Sequence, residues 1–128
     1  PNLFKIVGVQ GSSYKVDFLN NTFTGTVNSA TPNFSGSGTV LSTWATDSLI
    51  QRNAFNTTGN ITTLIGSAYP SNIIRENNLN SSATVKIGTY SGGTLIAENN
   101  WWGDLDPSDN IWGDIDFIPY VTMPFEQY

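Results

Sequence analysis

Four stretches of the chain share one order of apolar and polar positions. They are Phe18-Leu-Asn-Asn21-Thr-Phe23, Ile50-Gln-Arg-Asn53-Ala-Phe55, Ile74-Arg-Glu-Asn77-Asn-Leu79 and Ile96-Ala-Glu-Asn99-Asn-Trp101. Each reads as an apolar residue, two variable residues, Asn, one variable residue and a large apolar residue. The four Asn positions lie 32, 24 and 22 residues apart. A second column agrees with the last spacing, because Ile65-Gly66 and Ile87-Gly88 are also 22 apart. Short β-rich runs such as Ile61–Ile65 and Thr84–Ile87 are separated by turn-rich segments such as Gly66–Ser71. No stretch shows the 3.6-residue apolar spacing of an amphipathic helix.

A period of this length predicts a solenoid. One repeat makes one coil, and its strands pair in parallel with the coils above and below, ~4.8 Å away. Apolar residues then stack inward in columns. Asn at the corner tolerates left-handed backbone and can bond the Asn of the next coil, so a buried ladder of Asn21, Asn53, Asn77 and Asn99 would satisfy its own amides. The fold class expected is all-β, with about four to five coils and a C-terminal cap. The 32-residue first interval places a longer loop around Asn28–Gly38, either a binding insertion or an idle surface loop.

Composition supports strands and turns. Of 128 residues, 15 are Asn, 15 Thr, 13 Ser and 12 Gly, all poor in helix interiors. Charged residues are 12%, about half the ~25% usual for soluble proteins. Cysteine is absent, which excludes disulfides, thiol catalysis and thiolate metal sites. No apolar run approaches the ~20 residues of a membrane-spanning helix. The chain opens at Pro1 without a signal-peptide pattern, which reads as a processed piece of a longer protein. Net charge is −5, with +1 over residues 1–98 and −6 over residues 99–128, a balance that argues against nucleic acid or anionic membrane as partner.

The segment Glu98-Asn-Asn-Trp-Trp-Gly103, with the acidic loop after it and Ile115-Asp-Phe-Ile-Pro-Tyr120, resembles the last coil of pectate-lyase-like proteins. The resemblance covers about 25 residues specifically. It implies a right-handed parallel β-helix and the end of a longer solenoid, with residues 1–98 as repeating coils and 99–128 as last coil, acidic loop and cap. It does not imply an activity, because lyases, hydrolases, epimerases, adhesins and surface repeats share the scaffold. Ile118 follows Ile96 by 22 residues, and the next corner holds Val121 where Asn is expected. Pro119 and Pro124 lack the N–H of a further strand. Trp101, Trp102, Trp112, Phe117, Tyr120, Phe125 and Tyr128 are expected to cover that end. No comparable cap is visible at Leu3–Gln10, which leaves an open end on which preceding coils or copies of the chain could stack.

Candidate chemistry is sparse. There is no His, hence no Ser-His-Asp arrangement and no His metal ligand. The paired Asp, Gly-His-Gly and Arg-Ile-Lys of polygalacturonase-type relatives are missing. A lyase base could come only from Lys86, Arg52 or Arg75, which are isolated in sequence, so no catalytic residue is assigned. Asp104, Asp106 and Asp109, with Asp114 and Asp116 beyond, form an acidic loop whose oxygens could converge on Ca²⁺ or simply repel in solvent. A glycosidase carboxylate pair is a third reading of the same loop. Arg52, Glu76 and Glu98 share one offset in successive coils. Trp44, Trp101, Trp102 and Trp112 could stack on sugar rings. Trp101 falls in the core column, which leaves Trp102 and Trp112 as glycan-contact candidates unless they cap the core. Sequons for N-glycosylation begin at Asn20, Asn33, Asn56, Asn60 and Asn80.

The expectation is a non-catalytic extracellular or cell-surface module, structural or glycan-binding, with polysaccharide or further copies of itself as partner. The alternative is the C-terminal part of a polysaccharide lyase or glycoside hydrolase with its active site on upstream coils. A viral fibre domain is a third possibility.

Overall fold

A computed structural model describes residues 4–6, 15–27, 39–90, 92–103 and 106–126. The backbone winds into a three-sided parallel β-solenoid of about three full turns. Turn one carries β1 (Phe4–Ile6), β2 (Phe18–Leu19) and β3 (Thr22–Val27), and turn two β4 (Thr39–Thr43), β5 (Leu49–Gln51) and β6 (Ala54–Gly59). Turn three carries β7 (Thr63–Ser67), β8 (Ile73–Arg75) and β9 (Asn78–Ser81). Two reduced turns follow, with β10 (Val85–Thr89) and β11 (Leu95–Ile96), then β12 (Ile111–Trp112) and β13 (Ile115–Asp116). One side stacks β1, β4, β7, β10 and β12; the second stacks β2, β5, β8, β11 and β13; the third stacks β3, β6 and β9. Every strand pair is parallel.

The coil count is lower than the four to five expected because the third side stops being a strand after β9. It continues only as single bridges, Asn78 to Trp101 and Trp101 to Val121. Among the described residues the one helical element is a 3₁₀ turn over Pro107–Asn110, opened by Asp106, whose carboxylate accepts from the Ser108 N–H. No helix among the described residues is long and apolar enough to cross a membrane.

The core is columnar. Phe18, Ile50 and Ile74 are in register on the second side, and Leu41, Ile65, Ile87 and Ile111 on the first. On the third side the rings of Phe23 and Phe55 stack at 4.6 Å and 2°, with Leu79 beneath. Identical spacing places like side chains over like, so each turn buries the apolar face that the previous one leaves open.

The Asn ladder runs through the corner between the second and third sides. Asn53 Oδ1 accepts from Asn21 N and Nδ2 at 2.9 and 3.1 Å, and Asn77 Oδ1 from Asn53 N and Nδ2 at 2.9 and 3.0 Å. The next rung is Asn100, not Asn99: Asn100 Oδ1 accepts from Asn77 N and Nδ2, both at 3.0 Å. Asn53, Asn77 and Asn100 are fully buried, whereas Asn99 is exposed. The left-handed residue at this corner is the one before the ladder Asn, not the ladder Asn itself. Asn20, Arg52, Glu76 and Asn99 have φ of 60°, 60°, 56° and 59°. Placing Arg and Glu there costs about 1 kcal/mol or more each. The ladder amides that follow offset that strain.

The last interval of the ladder is therefore 23 residues, one more than the apolar pattern indicated. The extra residue shifts everything downstream. Ile96 pairs with Ile73 and is only partly buried, while fully buried Ala97 follows in the Ile74 column. Trp101 bridges Asn78 and is half-buried, so Trp102 falls beneath Leu79 and is fully buried. Because Trp101 bridges Val121, the position facing Asn100 in the final turn belongs to Tyr120 rather than Val121. Tyr120 and Phe117 are the aromatics that close this end. Phe117 meets Trp102 edge-on at 6.2 Å and lies 6.3 Å from Tyr120. Phe125 is held by its backbone, whose N–H and C=O bond the Asn78 side chain. Trp112 and Ile118 are exposed, so neither closes this end, and Tyr128 lies outside the described residues.

Candidate functional site: an aromatic corner

At the corner between the first and second sides, half-exposed aromatic residues stand at or just beyond the strand ends. The register Thr43–Ser67–Thr89 puts the next residues, Trp44, Ala68 and Tyr90, in one column, tied by Ala68 N–H to Thr43 C=O at 2.9 Å. Tyr69 follows Ala68 one residue along the same corner. Trp112 lies over the row Ser42–Gly66–Gly88. Trp44, Tyr69, Tyr90 and Trp112 keep 46%, 38%, 52% and 47% of their surface in solvent. Successive turns are ~4.8 Å apart, so this set of rings extends along the solenoid axis rather than around it.

Glycine makes the floor. A Cβ on Gly66 would stand 2.9 Å from the Tyr90 hydroxyl, so the Tyr90 ring reaches back over β7 only because Gly66 is bare. That hydroxyl also bonds the Thr63 side chain; burial outweighs this bond and raises the Tyr90 pKa above its ordinary value. A Cβ on Gly88 would lie 3.5 Å from the Trp112 Cβ. The corner turns are held by buried polar groups. Asn72 Nδ2 donates to Ala45 C=O and Ser67 Oγ, both at 2.9 Å, and its Oδ1 accepts from Ser48 N–H. The rings are thus carried by a rigid frame, as a binding surface requires.

Among the residues whose side chains are described, the exposed charges here are acidic. Asp47 is exposed, and its N–H donates to Ser71 Oγ. Asp114 is exposed and accepts from Thr94 Oγ1 at 2.8 Å. Lys15, in the first turn, is paired with Asp17 at 3.5 Å. Arg52 and Arg75 lie at the next corner, where their Nε atoms donate to Asn20 Oδ1 and Gln51 Oε1. Lys86 is buried and donates to Trp102 C=O. The three possible lyase bases are therefore not assembled at one place.

Trp112 belongs to the aromatic corner. Trp102 does not: full burial leaves no face for a sugar, and the one-residue shift that makes Asn100 the ladder rung is the cause. Tyr69 and Tyr90 went unrecognised in the sequence. The usable signal was an aromatic three or four residues after the core residues Leu41, Ile65 and Ile87. In the acidic loop, Asp106 is committed to the Ser108 N–H and hydroxyl, Asp116 accepts from Ile118 N–H, and Asp109 is exposed. Asp104 lies outside the described residues, and among those described no three His, Cys, Asp or Glu side chains group as metal ligands do. The sequon residues Asn20, Asn56, Asn60 and Asn80 are exposed; Asn33 and the Asn28–Gly38 loop lie outside the described residues. Compared with known protein families, curated proteins and solved structures, the chain matches none.

Proposed function

We propose that the chain is a non-catalytic extracellular or cell-surface module that binds polysaccharide along the aromatic corner. One observation carries the reading: Trp44, Tyr69, Tyr90 and Trp112 stand half-exposed on successive turns of a rigid solenoid. A pyranose presents C–H groups on its flat faces, and these suit the electron-rich face of an aromatic ring. Sugar hydroxyls suit the exposed Ser71 and Thr94 hydroxyls at the same corner. Exposed sequons and low charge fit a surface protein, and the Trp-Trp-Gly end motif supports a place among pectate-lyase-like right-handed β-helices.

Retention on insoluble polysaccharides and affinity electrophoresis in soluble ones test the proposal. Trp112→Ala and Trp44→Ala should each weaken binding about two- to tenfold, the equivalent of about 0.5–1.5 kcal/mol per stacked ring. Wild-type retention that both variants match would remove the corner from the reading.

The first turn favours a second role beside this one. Among the described residues, β1, β2 and β3 are edge strands, and Asn21 Oδ1 receives none of the ladder bonds that the later rungs receive. Further solenoid turns, or copies of this chain, stacked on that end would complete the ladder. Upstream turns carrying a lyase or hydrolase site are one form of this. Sedimentation over a wide concentration range tests self-stacking, and a constant monomer mass would exclude it.

A further inference from the structure

The outer face of the second side holds an aliphatic residue on every turn. Phe18, Ile50, Ile74 and Ala97 are buried on the core side, so the residues before and after each of them face outward. Register stacks Leu49, Ile73, Ile96 and Asp116 in one outward row. Leu19, Gln51 and Arg75 begin a second row. The Ile73–Ile96 and Asn77–Asn100 pairings carry that row on to Glu98, and the Ile96–Asp116 pairing carries it to Ile118. Leu19, Ile73 and Ile118 keep 45%, 38% and 64% of their surface in solvent, and Leu49 and Ile96 are half-buried. A lone exposed aliphatic residue is ordinary; five in a band along one flat side mark a contact surface.

We infer that two copies of the chain pair through this face, about a two-fold axis that runs along the strands between turns three and four. Charge sets the axis. Arg75 and Glu98 lie in one row on adjacent turns, yet no ion pair joins them within the chain; Arg75 Nε donates instead to Gln51 Oε1. The two-fold places Arg75 opposite Glu98 of the second copy, and Ile73 opposite its Ile96, each twice. Leu49 and Gln51 meet Asp116 and Ile118 at the two rims, where solvent remains. A two-fold along the solenoid axis would instead set Arg75 against itself or against Ile73, with nothing to compensate the charge. Five turns at ~4.8 Å and strands of about three residues at ~3.3 Å make a face of about 20 by 10 Å. That is well under the ~800 Å² per partner of a standard interface, so the pairing is weak and concentration-dependent. Trp44, Tyr69, Tyr90 and Trp112 lie outside both rows, so the pairing stands apart from glycan binding. The axis also leaves both aromatic corners on one edge of the pair, where a long glycan would meet two of them.

The test is analytical ultracentrifugation of the whole chain without glycan, from about 10 µM to about 1 mM, at low and high NaCl. A monomer–dimer equilibrium is expected, weaker at high NaCl. Arg75→Glu and Glu98→Arg each set like charges opposite one another and should weaken dimerisation about tenfold or more. The double exchange Arg75→Glu, Glu98→Arg restores opposite charges and should recover dimerisation to within about threefold of wild type. Ile73→Ser should weaken it several-fold with circular dichroism unchanged. A monomer over the whole range would overturn the inference, as would a double exchange that pairs no better than either single variant. Species larger than the dimer that ignore these exchanges would assign association to the first turn and overturn the pairing as well.

Discussion

Removing one interior rung of the Asn ladder should cost far more than removing the terminal one. The Asn77 side chain makes five hydrogen bonds: two accepted from Asn53, and one each donated to Ile50 C=O, Arg75 C=O and Asn100 Oδ1. Asn77→Ala leaves the buried Asn53 N–H without its acceptor, at about 1–3 kcal/mol, and forfeits further bonds worth about 0.5–1.5 kcal/mol each. With some relaxation the total is about 3–5 kcal/mol, a large share of the ~5–15 kcal/mol that holds a domain together. Asn21→Ala differs in kind. Asn21 is exposed, and Asn53 Oδ1 keeps the Asn21 N–H as donor, so the loss is about 0.5–1.5 kcal/mol. Urea unfolding followed by tryptophan fluorescence and circular dichroism measures both. Equal costs for Asn77→Ala and Asn21→Ala would refute a cooperative buried ladder.

The register shift has its own test: Asn100→Ala should cost about 3 kcal/mol, while Asn99→Gly, at φ 59°, should stay within about 0.5 kcal/mol of wild type by the same unfolding measurement. Gly113→Ala puts a Cβ 2.7 Å from Thr89 C=O at φ +93° and should cost about 1–3 kcal/mol in thermal unfolding, whereas Gly92→Ala meets nothing within 4 Å and should be nearly neutral. Tyr90 has a raised pKa in the folded chain, through burial first. Folded and unfolded chains are both protonated below about pH 10, so its contribution to stability is whole there. Above that pH the unfolded chain ionises first, and stability falls as pH rises toward the folded pKa; Tyr90→Phe should remove this part of the alkaline decline in pH-dependent melting. Millimolar Ca²⁺ should leave the melting temperature unchanged, since Asp106 already caps the 3₁₀ turn, and a rise that chelator reverses would show otherwise.

The parallel solenoid was legible because its columns repeat. An Asn two residues before a large apolar residue in three consecutive turns fixes where the corner lies, and Asn21, Asn53 and Asn77 occupy it. The fourth turn was misread by one residue. Asn99 and Asn100 are neighbours, both repeat templates fit one of them, and apolar residues at Ile96 and Trp101 favoured the wrong one. Backbone conformation separates them: the left-handed position takes Asn99 and the buried amide Asn100. A pattern of residue types carries no φ, so where the apolar flanks mislead, as Ile96 and Trp101 do, the two Asn cannot be told apart from sequence. The misplacement of Trp102 at the surface and the assignment of Val121 to the ladder follow from this single ambiguity.

The aromatic corner was hard to see for a different reason. Core columns repeat residue types because each site must fill the same volume against its neighbours. A surface column has no such constraint. Here the outward position holds Trp44, then Ala68 with Tyr69 beside it, then Tyr90, and no two turns repeat the same residue. The corner is recognisable only once register brings those positions into line and bare Gly66 lets Tyr90 lie back across β7. Gly66→Ala is the substitution that separates the ring's placement from its chemistry. It should leave Tyr90 present and the core columns intact while displacing the ring from β7, so a stacked glycan should bind more weakly with little change in unfolding free energy. Loss of stability without loss of binding would mean that Tyr90 serves the fold and not the ligand.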